Sequence, residues 1–165
     1  MWVAVSQVGL VMVDWDMSQA QFAHQVEGHF HSPAIVDTID TAEPLQQLAD
    51  YLNGSLHQFN LPLDLTGMTP FQQRVLQLTS RIPYGSTSTY KELAIRVGKP
   101  NAARAVGRVE ATNPMPIIIP CHRVLGSDGS LHGYGGPGGI KLKAWLLQLE
   151  QAGFKKTAGA TPAGR

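Results

Sequence analysis

The chain has 165 residues, of which 43% are hydrophobic and 15% charged; this excludes disorder as the overall state and allows a core without staples. No apolar run reaches the roughly 18–20 residues that span a bilayer, the N-terminus lacks the basic start of a secretory signal, and the single cysteine, Cys121, excludes an intrachain disulfide and a Cys-rich zinc site, so a reducing cytoplasm is the expected location. The net charge of +1 conceals an asymmetry: residues 1–69 hold eight acids and no Lys or Arg, whereas all 13 basic residues and four acids follow, which suggests two units, the basic one facing a polyanion.

In the acidic part, Val3, Val5, Val11 and Val13 alternate and Gly9 breaks the pattern, which predicts a hairpin over 1–16. Phe22, Val26 and Phe30 at i, i+4 and i+8 predict a helix over 17–31. Residues 32–42 contain the apolar stretch Ala34-Ile35-Val36. Residues 43–52 read as a helix with Leu45, Leu48 and Leu52 on one face, Asn53-Gly54 as a turn, and Phe59 to Leu65 as a closing strand. His29-Phe30-His31, read as a strand, puts two imidazoles on one side with His24 nearby, but no third ligand completes a metal site; surface histidines are the default.

Helix signals strengthen from residue 69. Thr69-Pro70-Phe71-Gln72 combines an N-cap, an N1 proline and a capping-box glutamine, and Phe71, Val75 and Leu78 continue the apolar face. Ile82-Pro83-Tyr84-Gly85 ends that helix. Thr89-Tyr90-Lys91-Glu92 is a second capping box, opening a helix that stops at Gly98, and Pro100-Asn101 opens another over Ala102 to Glu110. Two short helices joined by Gly98-Lys99-Pro100 fit a helix-turn-helix. Asn113 to Pro120, with three prolines and three isoleucines, reads as a buried strand-like strut that delivers Cys121-His122-Arg123. Asp128-Gly129 predicts a hairpin turn between Val124 and Leu131. A last helix over Ile140 to Ala152 presents Leu142, Trp145, Leu146 and Leu149 to the core and is capped by Gly153; residues 154–165 read as a flexible tail.

A lone cysteine is usually a small buried hydrophobe. Here a proline precedes it, His122 is adjacent, and Arg123 is near enough to favour a thiolate. The last helix can bring Lys143 and Glu150, two turns apart, to the same place. Cysteine, histidine base and orienting carboxylate form the logic of an activated nucleophile.

Pro120-Cys121-His122-Arg123, with Asn113-Pro114 upstream and Gly133-Tyr134 downstream, resembles the active site of the O6-alkylguanine-DNA alkyltransferases. Ile82-Pro83-Tyr84-Gly85, Tyr90, Ala102-Ala103-Arg104-Ala105-Val106-Gly107 and Lys143-Ala144-Trp145-Leu146-Leu147 through Glu150 stand in the same order as in that family, so the resemblance covers residues 70–150 strongly and the N-terminal part more weakly. It implies an α/β fold: a ribonuclease H-like N-terminal domain (1–65) followed by a mainly helical domain (66–153) with a helix-turn-helix and the active site. It implies a repair protein that binds the minor groove of double-stranded DNA and flips out an alkylated guanine. The alkyl group passes irreversibly to Cys121, one turnover per molecule; O4-alkylthymine stays open as a second substrate. In this reading His122 takes the thiol proton through a water and Glu150 holds His122. Tyr90 donates to the flipped base, the carbonyls of Cys121 and Val124 accept the guanine amine, and the amides of Tyr134 and Gly135 lie near O6. Asn113 bridges the strut to the helix-turn-helix, Lys143 supports the pocket, Arg104 fills the vacated stack, and Ala102, Ala103, Gly107 and Ser127 meet the DNA. No cofactor or metal is implied. The protein is expected to be a monomer in solution, with cooperative assembly on DNA left open.

The chain departs from the family pattern in several places. The glycine loop from Gly135 to Gly139 is longer, and Gly135 lacks a common hydroxyl. Arg108 and Glu110 replace small residues; Glu110 would be repelled by phosphates unless it pairs with Arg108 or turns away. Ala111 lacks a basic side chain, and Trp2 to Val5 matches the second strand of the family's first hairpin. Three rivals remain. A non-catalytic helix-turn-helix protein that binds alkylated DNA is disfavoured by Cys121. A dinucleotide loop at Gly133-Tyr134-Gly135-Gly136-Pro137-Gly138 lacks its βαβ context. A Cys-His hydrolase lacks any signature.

Overall fold

The computed structural model describes residues 1–135 and 138–153; the expected tail and the middle of the glycine loop lie outside them. The chain divides into two compact units, Met1–Thr66 and one beginning at Gly67. Together they form a mixed α/β protein with six α-helices and two small sheets among the described residues.

In the first unit, β1 (Trp2–Val5) and β2 (Leu10–Asp14) form the predicted antiparallel hairpin, with Val3 opposite Val13 and a bulge after Ala4. Gly9 is required by close approach, because a Cβ there would stand 2.3 Å from the Pro62 carbonyl oxygen. The expected closing strand shrinks to one parallel bridge, Leu10 to Leu63; Pro62 has no N–H to extend a ladder. Helix α1 (Gln19–Phe30) starts at a Ser18–Gln21 capping box and lays Phe22, Val26 and Phe30 against Val11 and Met12. His29 is therefore helical and His31 is a left-handed C-cap, not strand neighbours; among the described residues no three His, Cys, Asp or Glu side chains gather to hold a metal ion. Helix α2 (Ala42–Leu52) buries Pro44, Leu48 and Tyr51, whereas Leu45 faces solvent. The aromatic Tyr51, on the same side as Leu48, takes the core place expected of Leu45, and its ring packs on Phe59.

In the second unit, α3 (Pro70–Thr79) and α4 (Tyr90–Arg96) both begin with the predicted capping boxes, Thr69–Gln72 and Thr89–Glu92, each cap contributing about 1 kcal/mol. Gly98 turns left-handed at φ 80°, and α5 (Ala103–Ala111) follows from its N-cap Ala102. Val75, Leu76, Leu93, Val106 and Val109 are buried where α3, α4 and α5 pack.

The segment from Asn113 to Pro120 is a tight turn, not a strut. Pro114, Pro116 and Pro120 supply no N–H for a ladder, and the chain folds back on itself, Ile119 N–H donating to Met115 O at 2.9 Å. Ile117 adopts φ 75°, a region costly to a β-branched residue, and is buried with Met115, Ile118 and Ile119. One 3-10 turn, Cys121–Arg123, follows. Val124–Leu125 (β4) then pairs in parallel with Ser88–Thr89 (β3). The Asp128-Gly129 turn closes as predicted, Gly126 N–H donating to Ser130 O at 3.0 Å, but β4 finds its ladder in β3 and not toward Leu131. Helix α6 (Gly139–Leu149) buries Lys143, Ala144, Leu146 and Leu147. Trp145 is 40% exposed, so the core stripe lies one step round from the expected one. The helix ends at Glu150 and Gln151, the latter at φ 57°. Ala152 N–H reaches Leu147 O and Gln151 N–H reaches Gln148 O, a closing pattern that leaves no capping role for Gly153.

Candidate active site

Cys121 is 4% exposed. Three elements deliver its surroundings: the 113–120 turn, the end of α6 and the 3-10 turn itself. Asn113 closes the first. Its Nδ2 donates to Ile119 O at 2.9 Å and to the Cys121 sulfur at 3.3 Å, and its Oδ1 accepts from Met115 N–H. The side chain thus joins the end of α5 to the nucleophile. Burial, and then the Glu110 carboxylate, push the thiol up to about 12, against the Asn113 hydrogen bond and the Lys143 charge. At rest Cys121 is a neutral thiol.

His122 is fully buried, and its Nε2 lies 3.0 Å from Glu150 Oε1. Burial holds the imidazole below its ordinary value, against the pull of Glu150, so it stays neutral. A tautomer that donates from Nε2 to Glu150 has Nδ1 as its basic nitrogen. Glu150 is an ionised hub. Arg123 Nε donates to both its oxygens at 3.1 and 3.0 Å and Nη2 donates at 2.7 Å, a bidentate pair of the strong kind. Gly85 N–H reaches Oε2 at 3.3 Å. Arg123 Nη1 also donates to Ile82 O, its guanidinium lies over the Tyr84 ring, and the Tyr84 hydroxyl donates to Leu149 O. The Ile82–Gly85 turn is therefore the socket for this ion pair. Arg123 does not favour the thiolate, as its proximity in sequence suggested, because its charge is spent on Glu150.

Lys143 is buried under the site, and Nζ donates to Val124 O at 2.6 Å and to the Tyr90 hydroxyl at 3.4 Å. Burial lowers it to about 8, while Cys121 and Glu110 hold it up. Burial also raises Tyr90 to about 12, with Glu110 and Cys121 adding to the effect, so the phenol keeps its proton.

A cavity of about 500 Å³ opens on this face. Tyr90, Lys91, Ala103, Arg104, Gly107 and Ala111 from α4 and α5 form one wall; Gly126, Ser127, His132, Gly133, Tyr134 and Gly135 form the other. Of the expected DNA-contacting residues, Ala103, Arg104, Gly107 and Ser127 line it and Ala102 stands outside as the N-cap of α5. Of the expected substrate contacts, Tyr90, Tyr134 and Gly135 line it, while Asn113, Val124 and Lys143 gather round the nucleophile. Gly135 has a local cause: a Cβ there would come within 2.0 Å of the Ala111 carbonyl oxygen. Glu110 faces neither phosphate nor Arg108; it is buried and bonded to Thr79. Sequence reasoning passed over His132, whose ring stands 6.2 Å from Tyr90, and Thr79. A single histidine in a loop and a threonine in a helix carry no signal of their own.

A buried thiol with a histidine–carboxylate pair, beneath a cavity walled by tyrosine and arginine, defines a protein that uses cysteine as a nucleophile on a bound group. Residues 70–152 match the family described as 6-O-methylguanine DNA methyltransferase, DNA binding domain. The chain is 45% identical over 120 residues to the constitutive methylated-DNA–protein-cysteine methyltransferase of Bacillus subtilis, covering 73% of this chain and 72% of that one. It is 36% identical to the methylated-DNA–protein-cysteine methyltransferase of Salmonella typhimurium over 154 residues, 91% of this chain and 88% of that one. Its fold is similar to that of Mycobacterium tuberculosis OGT solved in complex with DNA, with a TM-score of 0.72, 39% identity, and coverage of 90% and 84% of the two chains. The chain belongs to the methylated-DNA–protein-cysteine methyltransferase family.

Proposed function

We propose that this protein repairs DNA by transferring the alkyl group of O6-alkylguanine onto its own Cys121, once per molecule. The observation that carries this reading is the Cys121 sulfur held by Asn113 within the cluster that contains His122, Glu150, Lys143 and Tyr90. The sulfur attacks the alkyl carbon, an S–C bond forms, and the C–O6 bond breaks with its electron pair going to guanine. Because the thiol is neutral at rest, its proton must leave as the bond forms; neutral His122, oriented by Glu150, accepts it through a water molecule. Guanine leaves as an incipient anion, and Tyr90 donates toward it. The phenol keeps its proton until then, and Lys143 donating to its oxygen makes it a better acid. The Tyr134 and Gly135 amides face O6. The carbonyls of Cys121 and Val124 receive the guanine amine, Lys143 filling one lone pair of the latter. The product is a thioether with no group nearby to reverse it, so O4-alkylthymine, if accepted, consumes the protein in the same way.

α4 and α5 act as a helix-turn-helix that enters the minor groove, with Ala102, Ala103, Gly107 and Ser127 against the backbone. The exposed Arg104, at the second position of α5, fills the space left by the flipped base. Its planar cation suits stacking and pairing with an orphaned base. Residues 1–65 act as a ribonuclease H-like domain and 66–153 as the reactive domain. The protein works in the cytoplasm as a monomer, with cooperative assembly on DNA left open. No helix among the described residues is long and apolar enough to cross a membrane.

Incubation with a duplex carrying one O6-methylguanine tests this directly. Intact mass should rise by one CH2, map to the Cys121 peptide and saturate at one per chain. Tight binding without a mass change identifies a non-catalytic binder of alkylated DNA instead. Arg104→Ala should slow repair of duplex DNA at least tenfold, about 1.4 kcal/mol in the barrier, and leave the reaction with free O6-benzylguanine unchanged. Equal losses on both substrates remove the finger role.

A further inference from the structure

Glu110 is a buried carboxyl group that the reaction as written does not use. It stands on the last turn of α5 and is 4% exposed. That end of a helix disfavours negative charge, and burial disfavours it further. Its Oε1 lies 2.6 Å from Thr79 Oγ1, and the same hydroxyl lies 3.0 Å from Val75 O. A threonine has one hydroxyl proton. With Glu110 ionised that one proton is shared between the carboxylate and the Val75 carbonyl, the shorter contact taking most of it. With Glu110 protonated each contact is a full hydrogen bond, Glu110 donating to Thr79 and Thr79 to Val75 O. The remaining oxygen, Oε2, is buried without a hydrogen-bond partner among the described residues. That is far cheaper for the carbonyl oxygen of a neutral acid than for a carboxylate. Burial raises the group to about 7, against Thr79 and Lys143, so both forms are within reach near neutrality.

Its neighbours are the reacting groups. Thr79 comes from α3, Tyr90 from α4, Cys121 from the 3-10 turn and Lys143 from α6, and the Glu110 charge acts on the last three. On Cys121 it opposes ionisation more strongly than Lys143 favours it.

We propose that Glu110 is a positioning residue for alkyl transfer: the proton on its carboxyl, held in the Thr79 relay, permits the Cys121 thiolate to form, and the loss of that proton holds the thiol back. The proposal rests on Cys121 as the nucleophile. Only O–H bonds are made or broken in the switch, and the Glu110 proton exchanges with solvent. Lys143 limits the effect, because an ionised Glu110 also keeps the lysine charged.

The test compares wild type with Glu110→Gln, a permanently neutral isostere. The rate of transfer from free O6-benzylguanine to Cys121 is followed from about pH 5.5 to 8.5. The variant-to-wild-type rate ratio should be near one in acid and rise severalfold in alkali, with its midpoint near the Glu110 value of about 7. Thr79→Val, which removes the donor to the carboxylate, should move the midpoint to higher pH. Carbon-13 NMR of the Glu110 carboxyl in unmodified protein should titrate at the same place, whether or not the variants fold. A ratio that is flat with pH or falls below one in alkali overturns the proposal, as does a carboxyl that titrates at the ordinary 4.5. If wild type takes up no benzyl group at all, the proposed function fails. The Cys121 Cβ signal then still reports the coupling: the thiol should ionise at lower pH in Glu110→Gln than in wild type, and a thiol titration that the substitution leaves unmoved overturns the switch by itself.

Discussion

Cys121→Ala should take up no alkyl group from O6-methylguanine DNA, a loss of at least a thousandfold, about 4 kcal/mol in the barrier, and should still bind the damaged duplex. The chain has no second cysteine, and Lys143, the other buried nucleophile of the cluster, is tied to Val124 O and the Tyr90 hydroxyl. The substitution removes one sulfur from a packed place, which costs roughly 1 kcal/mol of stability. Asn113 keeps its bond to Ile119 O and therefore its hold on the end of α5. The cavity walls of Tyr90, Arg104 and Tyr134 are left in place, and the Cys121 backbone carbonyl is kept, so binding should survive. Intact mass and a fluorescence-anisotropy titration on the same duplex check the two halves. Retained alkylation would mean that another side chain accepts the group, and lost binding would make Cys121 a structural residue.

The second large effect is expected at Arg123. Glu150 is 2% exposed and receives three N–H contacts from this one guanidinium. Truncation leaves a carboxylate in a dry place without the guanidinium that pairs with both its oxygens. Arg123→Ala should therefore lower unfolding free energy by about 3–5 kcal/mol, whereas replacing Arg123 and Glu150 together by apolar residues should cost much less. Urea unfolding of the two single variants and the double variant measures this as a cycle. A loss below about 1 kcal/mol would place the pair among weak surface bridges. The single variant should also slow transfer, since Glu150 no longer holds a fixed position for His122.

The parts of this site that were legible in the sequence are those encoded by local rules. Thr69 and Thr89 announce their helices because a capping box is complete within four residues. Lys143 and Glu150 could be placed together because two helical turns separate them. Their joining to Cys121 is something that the last helix allows, and the resemblance then implies it. What stayed hidden depends on pairings distant in the chain. Arg123 looks like a thiolate partner until Glu150, 27 residues on, takes its charge. Glu110 looks like an exposed acid until Thr79, 31 residues away, is seen to receive it. The run Met115 to Pro120 reads as extended because isoleucine and proline favour that state, but tertiary packing turns Ile117 over. Trp145 reads as core by hydropathy and lies outside because Lys143 occupies the inward position for its hydrogen bonds.

The left-handed Ile117 couples reactivity to the integrity of the whole second unit. A β-branched residue in that region stores roughly 1–3 kcal/mol, which only the burial of Met115, Ile117, Ile118 and Ile119 holds in place. If that packing loosened, the backbone would relax four residues before the nucleophile, and Asn113 would lose both Ile119 O and the sulfur together. No partly melted state can thus keep a competent thiol while the surrounding core is open. Thermal loss of alkyl acceptance and cooperative unfolding of the second unit should coincide, which makes the acceptor cysteine a reporter of its own fold.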